Sequence, residues 1–294
     1  MSIKRITVIG TGLIGASVGL ALRASGFKGE IAGWTRTPGE RGTAFDLGAI
    51  NRKAENLDDA FALCESSDVI FLAVPVLGIL DWMKQLAPRL HAGQLVTDAG
   101  STKAEITRYA GEVFSREDGA FFLPGHPMAG KESGGAALAE ANLFRNAVWL
   151  FTSPAIIEPP LAAEWRACVE SFGCRIMNMN ATRHDELCAW VSHLPQMLST
   201  AFSALLEDTF GDAPDLRAIG GRALRETTRL GSSPYSMWRD IAQSNSQQIA
   251  ATMLALEQRL AHLRENLKSP ALREEFEKAN RFRAPRPDTA SGEN

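Results

Sequence analysis

Three short runs carry residue types that could do chemistry together. Gly125-His126-Pro127-Met128-Ala129-Gly130-Lys131-Glu132 offers an imidazole, an ammonium and a carboxylate. Asp98-Ala99-Gly100-Ser101-Thr102-Lys103 adds a hydroxyl and a second pair of opposite charges. Gly10-Thr11-Gly12-Leu13-Ile14-Gly15 is a glycine-rich turn of the GxGxxG kind: Gly10 allows the tight turn, Gly12 lets backbone approach a pyrophosphate, and Gly15 permits close packing of helix on strand. An imidazole beside a nicotinamide is the natural base for a hydroxyl whose carbon gives up hydride, so the chemistry these runs suggest is oxidation of an alcohol. The competing reading of His126 is a structural histidine beside a proline, and that of the glycine run is a chance match. What surrounds them decides.

The elements that must position these runs read as strands alternating with helices. Apolar runs predict strands over Arg5–Ile9, Glu30–Trp34, Val69–Val74, Gln94–Thr97, Ala120–Leu123 and Ala147–Phe151, with an edge strand over Arg175–Met179. Amphipathic stretches such as Ile14–Ala24 and Leu77–Leu86 lie between them, and the near-continuous apolar run Val69–Val74 implies burial on both faces. This is the rhythm of an α/β fold, a Rossmann-like doubly wound parallel sheet. In such sheets ligands bind beyond the carboxyl ends of the strands, which brings all three runs to one crevice. The glycine turn follows the first strand and opens a helix whose free N–H groups suit phosphate oxygens. Leu13 and Ile14 at that helix start, with Val74 and Pro75 at the end of the third strand, complete the expected cofactor-binding set.

The second strand runs out through Trp34-Thr35-Arg36-Thr37, where an NAD enzyme carries an acid for the ribose 2′-hydroxyl. No acid stands there. Thr35 and Arg36 suit a 2′-phosphate instead, so NADP is expected ahead of NAD. The competing reading of Arg36 is a solvated loop charge.

Beyond Ala181 strand signals vanish, and helical patterns run through Thr182–Leu206, Leu216–Leu230 and Gln243–Leu267. Ile249, Met253, Leu256, Leu260, Leu263 and Leu267 recur at spacings of three and four, an apolar stripe for helix packing. We expect a dinucleotide-binding domain over 1–180, a C-terminal all-helical domain for substrate binding and dimerisation over 181–280, and an unstructured tail over 281–294. The stripe is expected to build a homodimer; the alternative is packing within its own chain.

Composition is that of a globular protein, with 45% hydrophobic and 22% charged residues, and the net charge of −3 offers no basic surface for nucleic acid or an anionic membrane. The start of the chain lacks a signal-peptide core, which places the protein in the cytoplasm as an expectation. Cys64, Cys168, Cys174 and Cys188 show no metal-type spacing, so no metal is expected.

The motifs taken together resemble the prephenate/arogenate dehydrogenase family. Besides the three runs, the resemblance rests on Ser192-His193-Leu194-Pro195, on Thr227-Thr228-Arg229-Leu230 and on Met237-Trp238-Arg239-Asp240, in order over residues 6 to about 267. It implies oxidative decarboxylation of prephenate to 4-hydroxyphenylpyruvate, with arogenate as the alternative substrate. His126 then corresponds to the base and Ser101 to the serine that orients the substrate hydroxyl. Arg229 corresponds to the arginine that grips a carboxylate, and Glu132 and Glu226 to its ionic network near the entrance. Trp238 shapes the pocket in this reading. His193 is either a substrate contact or a packing residue. Many prephenate-using members carry a second histidine where this chain has Gln196, an amide that can donate to a keto group or accept from an ammonium. Little chain remains beyond about residue 280 for a regulatory or second catalytic domain. More remote readings are a β-hydroxyacid dehydrogenase, disfavoured because Thr182–Leu206 holds no lysine, and a non-enzymatic NADP-sensing regulator.

Overall fold

β-Branched and apolar residues alternate with amphipathic helices through the first half of the chain. The computed structural model describes residues 2–154 and 157–285. Strands β1 (Arg5–Ile9), β2 (Glu30–Trp34), β3 (Arg52–Lys53), β4 (Val69–Leu72), β5 (Leu95–Asp98) and β6 (Phe121–Leu123) are linked by α1 (Leu13–Ala24), α2 (Pro38–Asp46), α3 (Leu57–Glu65), α4 (Val76–Leu86) and α5 (Ala104–Val113). All pairings in this sheet are parallel, in the order β3-β2-β1-β4-β5-β6. The order reverses between β1 and β4, so the glycine turn after β1 and the Val74-Pro75 step after β4 flank the switch-point crevice.

The Ala147–Phe151 strand does not extend that sheet. Pro124 follows β6, and the chain enters a second sheet of β7 (Gly125–Pro127), β8 (Val148–Phe151) and β9 (Arg175–Asn178), with α6 (Pro160–Ser171) between the last two. β7 pairs antiparallel with β8, His126 opposite Leu150, and β8 pairs parallel with β9. The connection from β7 to β8 is an irregular excursion with a single 3₁₀ turn over Ala136–Leu138 and no α-helix, and it brings β8 back antiparallel to β7. His126 therefore stands on a strand and not, as expected, in a loop.

The helical half comprises α7 (Ala181–Cys188), α8 (Leu194–Phe210), α9 (Pro214–Ile219), α10 (Arg222–Thr228), α11 (Tyr235–Ser244), α12 (Ser246–Glu265) and α13 (Pro270–Arg283). The three long helices expected here are each broken. A π-helical turn over Ala189–His193 precedes Pro195, which has no N–H for a regular helix bond. Gly220-Gly221 separates α9 from α10, which ends in a 3₁₀ turn over Arg229–Ser232, and Asn245 at φ −131° separates α11 from α12. Arg281–Arg283, expected to open a tail, instead close α13, where basic side chains suit the negative end of the helix dipole. Residues 286–294 lie outside the described residues.

The three buried apolar clusters among the described residues fall within residues 3–176. Phe71, Phe144, Trp149 and Trp165 are fully buried at the centre of the largest, with ring centroids 5.3–6.1 Å apart.

Candidate active site

The glycine turn is open where a ligand would need it and closed elsewhere. Gly10 has φ +97°, and a Cβ there would overlap the carbonyl of Ala73 and sit 2.8 Å from Val74. A Cβ on Gly15 would meet the Gly10 carbonyl, whereas one on Gly12 would meet nothing within 4 Å. Gly12 is the N-cap of α1 and provides no side-chain cap, so the amides that open the helix at Leu13 and Ile14 face the crevice uncapped. Pro75 caps α4 across the switch point. Thr35 is half-buried and Arg36 exposed, and the Arg41 guanidinium lies 4.3 Å from the ring centroid of Trp34. Bare amides and a backbone cradle that a Cβ would crowd fit the pyrophosphate of a dinucleotide.

A fully buried ion pair ties the next two runs together. Asp98, the last residue of β5, contacts the Lys103 ammonium through Oδ2, and both side chains are sealed from solvent. Oδ2 also accepts from Gly100 N–H at 2.8 Å, and Oδ1 accepts from Gly125 N–H at 3.0 Å. The loop of Ser101 is thereby clasped to the strand of His126. Burial pulls the Lys103 ammonium below its usual value, against the pull of Asp98. Ser101 is half-buried, and its hydroxyl has no partner among the described residues.

His126 does not stand alone. Its Nδ1 lies 2.8 Å from Nε2 of His184, whose Nδ1 lies 2.7 Å from Oδ1 of Asp185. Asp185 also accepts from the backbone N–H of Lys103 at 2.7 Å and of Ala104 at 2.9 Å, capping α5 from α7. Burial, then the neighbouring His184, Lys103 and His193, holds His126 well below the ordinary histidine value of 6.5. Burial likewise lowers His184, and it pushes the Cys188 thiol up to about 12. The facing nitrogens of His126 and His184 and the sulfur of Cys188 lie within 4.8 Å of one another, a spacing that metal ligands share. The two nitrogens meet in a hydrogen bond, which accounts for their approach without an ion.

Sequence reasoning missed His184 and Asp185. The available signal was that His184, Asp185 and Cys188 share the buried side of a short helix, an unusual place for two titratable groups.

The other expected residues fall into two sets. Arg229, in the 3₁₀ turn after α10, pairs with Glu132, and both are partly exposed. Glu226 is a correction: it pairs with Arg222 at 2.6 Å, its neighbour one turn back on α10. Gln196 is buried, and its Nε2 donates to the Leu230 carbonyl at 2.7 Å and lies 3.1 Å from Thr200 Oγ1, pinning α8 to the residue beside Arg229. His193 is fully buried, edge-on to Trp238 at 5.9 Å, with Nδ1 3.3 Å from the Asn245 amide. Burial lowers His193 to about 4, and Nε2 of His193 and Nε1 of Trp238 have no hydrogen-bond partner among the described residues. Asn245 also donates to the Asp185 carbonyl at 2.9 Å, so His193 and the His126 group form one network.

Further polar contacts fasten the helical half to the sheet half at the same edge. Asp240 on α11 accepts from Leu77 N–H at 3.3 Å near the start of α4, and Ser244 meets Thr102 at 2.7 Å. The crevice is therefore walled by carboxyl ends of strands on one side and by helices on the other.

Two family descriptions match the chain: "Prephenate dehydrogenase, nucleotide-binding domain" over residues 18–177 and "Prephenate dehydrogenase, dimerization domain" over residues 180–280. A curated relative, the prephenate dehydrogenase of Lactococcus lactis subsp. cremoris, is 33% identical over 82% of the chain. The chain spans 65% of that relative's length. Among solved structures, A. aeolicus prephenate dehydrogenase in complex with hydroxyphenyl propionate and NAD+ superposes with a TM-score of 0.83 at 27% identity, covering 96% of this chain and 95% of that one. Synechocystis arogenate dehydrogenase gives 0.75 at 28% identity, covering 95% and 98%.

Proposed function

The chain belongs to the prephenate dehydrogenase family, and from that premise we propose that it oxidatively decarboxylates prephenate to 4-hydroxyphenylpyruvate, with NADP as oxidant, as a step towards tyrosine. The observation that carries this reading is the buried ring of His126 at the edge of the crevice, tied at Nδ1 and without a partner at Nε2 among the described residues.

The bound dinucleotide supplies the hydride acceptor. The residues do the rest. His126 takes the proton of the ring hydroxyl as the carbinol carbon loses hydride, and Ser101 orients that hydroxyl. The oxidised ring is a vinylogous β-keto acid. Its carboxylate leaves as CO2, the bonding pair enters the ring to give a phenolate, and the phenolate recovers the proton from His126. Aromatisation drives the step, so the protein has mainly to align groups and hold one proton. Arg229 grips the side-chain carboxylate, exchanging Glu132 for the substrate.

Arg36 and Thr35, with no acid between Trp34 and Thr37, support NADP over NAD. The A. aeolicus relative was solved with NAD+; the reading of NADP rests on the residues that follow the present chain's second strand. A second substrate is supported by Gln196. Its N–H groups face the Leu230 carbonyl and Thr200, which leaves the amide oxygen as the atom able to meet an ammonium, and arogenate carries one. The assembly is a homodimer through the helical half, supported by the family description of that half and by its uncovered apolar faces.

The test is reduced-cofactor absorbance with prephenate or arogenate against NAD or NADP. Turnover is expected with prephenate and NADP, with arogenate second; silence in all four combinations would overturn the assignment.

A further inference from the structure

Proton positions on two buried histidines can be read from what surrounds them. The Asp185 carboxylate already accepts two backbone N–H groups at the start of α5, and it faces His184 Nδ1 at 2.7 Å. A carboxylate accepts, so His184 Nδ1 donates. A neutral imidazole has one donor and one acceptor, which leaves Nε2 of His184 bare. His126 Nδ1 stands 2.8 Å from that nitrogen and must therefore carry a proton. The remaining nitrogen of His126, Nε2, is the one left with a lone pair.

We propose that His184 and Asp185 are positioning residues for the base: Asp185 sets the orientation of His184, and His184, by accepting from Nδ1 of His126, keeps the lone pair on Nε2. The proposal rests on His126 being the base of the reaction above. The device resembles the carboxylate that holds the histidine of a serine-protease triad in the right tautomer, extended here by one ring.

The arrangement has a consequence during turnover. When the substrate O–H bond breaks, its proton goes to Nε2 of His126, its electron pair forms the carbonyl, and the hydride leaves the carbinol carbon for the bound dinucleotide. His126 is then an imidazolium whose Nδ1–H points at His184 and, behind it, at the Asp185 charge. Charged and titratable groups reach this ring from several elements. Lys103 and Asp98 come from the end of β5 and the loop after it, His184, Asp185 and Cys188 from α7, and His193 from the π-helical turn. The Lys103 ammonium opposes the imidazolium, and Asp98 lies paired to Lys103. Asp185 is the carboxylate joined to His126 by continuous hydrogen bonds.

Direct evidence would come from ¹⁵N spectra of histidine-labelled full-length protein, with signals assigned by single substitutions. Near neutral pH, His126 should carry its proton on Nδ1 with Nε2 unprotonated, and His184 should show the same tautomer. A proton on Nε2 of His126 would overturn the proposal, whatever the substrate. In turnover assays His184→Leu should lower kcat by about 10²-fold, on the scale of a lost general base, with little change in the KM for NADP. His184→Gln, which restores an acceptor, should regain at least about tenfold over the leucine variant. Equal kcat for His184→Leu and wild type, or equal loss in the leucine and glutamine variants, would also overturn it. A wild-type protein silent with every substrate would count against the functional reading, while the nitrogen spectra would still decide the placement of the protons.

Discussion

The sheet half and the helical half meet the demand for burial in different ways. Among the described residues, every buried apolar cluster lies within 3–176, built on the central strands and four packed aromatic rings. In the helical half α9, α10 and α13 bury no side chain, and α8 buries only Gln196 and Ser199, both polar. Trp190, Leu205, Phe210, Leu260 and Phe276 are each more than half exposed. A recess of about 350 Å³ lined by Leu206, Leu216 and Leu224 lies open beside them. Burying one such side chain is worth roughly 1.5–3 kcal/mol, and in the proposed homodimer a second copy would cover these faces. The lesson concerns the division of labour. The glycine turn and His126 sit on a frame with its own buried apolar core, whereas Arg229 and Gln196 sit on helices whose apolar side chains lie largely exposed in the single chain.

The strongest way to sharpen this contrast is to remove chemistry from the sheet half alone. His126→Asn should cut kcat by about 10²-fold or more while leaving NADP affinity unchanged, measured by turnover and by cofactor titration. Normal turnover would remove His126 from its role. Next in size is Leu260→Asp, which puts a carboxylate on the exposed stripe. The cost of forcing a charge into an apolar interface, at least about 3 kcal/mol, should raise the dimer dissociation constant about 10²-fold or more in sedimentation experiments. Cofactor binding should survive and substrate KM should rise; loss of both together would break the proposed independence of the halves. Arg229→Ala should raise KM about tenfold to a hundredfold, as expected for a lost charge-assisted bond of about 1.5–3 kcal/mol, and an unchanged KM would take it out of the site. Arg36→Ala should reduce the preference for NADP over NAD by about tenfold, by the same reasoning at a more exposed position.

The smallest effect is on pH dependence. Burial penalises the imidazolium of His126 and depresses its value below 6.5. The base then keeps its lone pair at pH values where a free histidine would already be protonated. Activity should therefore hold as pH falls through 6.5 and decline only below it, in kcat/KM measured against pH. An acid limb centred above 6.5 would show that the ring is not buried as described.

Local features were legible in the sequence and pairings across distance were not. The apolar runs of β1 and β2 predict their own limits because burial coincides with the run in both strands. The glycine run could be read because its steric demands are local: Gly10 and Gly15 each abut backbone. The antiparallel pairing of β7 with β8 was hidden because it joins segments some twenty residues apart across an irregular excursion. His184 and Asp185 were hidden for a related reason: their meaning comes from His126 and from the start of α5, far away in the chain. Glu226 shows the converse. A resemblance placed it in a network, and a nearby arginine on the same helix claimed it.

In the proposed reaction His126 governs an oxidation that proceeds with loss of a carboxylate. This is tested most directly by measuring CO2 release and cofactor reduction together, with prephenate and NADP, in the wild-type protein and in His126→Asn. The account predicts equal amounts of CO2 and reduced cofactor from the wild type and a parallel fall of both in the variant, with cofactor binding retained. Cofactor reduction without CO2, or undiminished release of both from the variant, would contradict it.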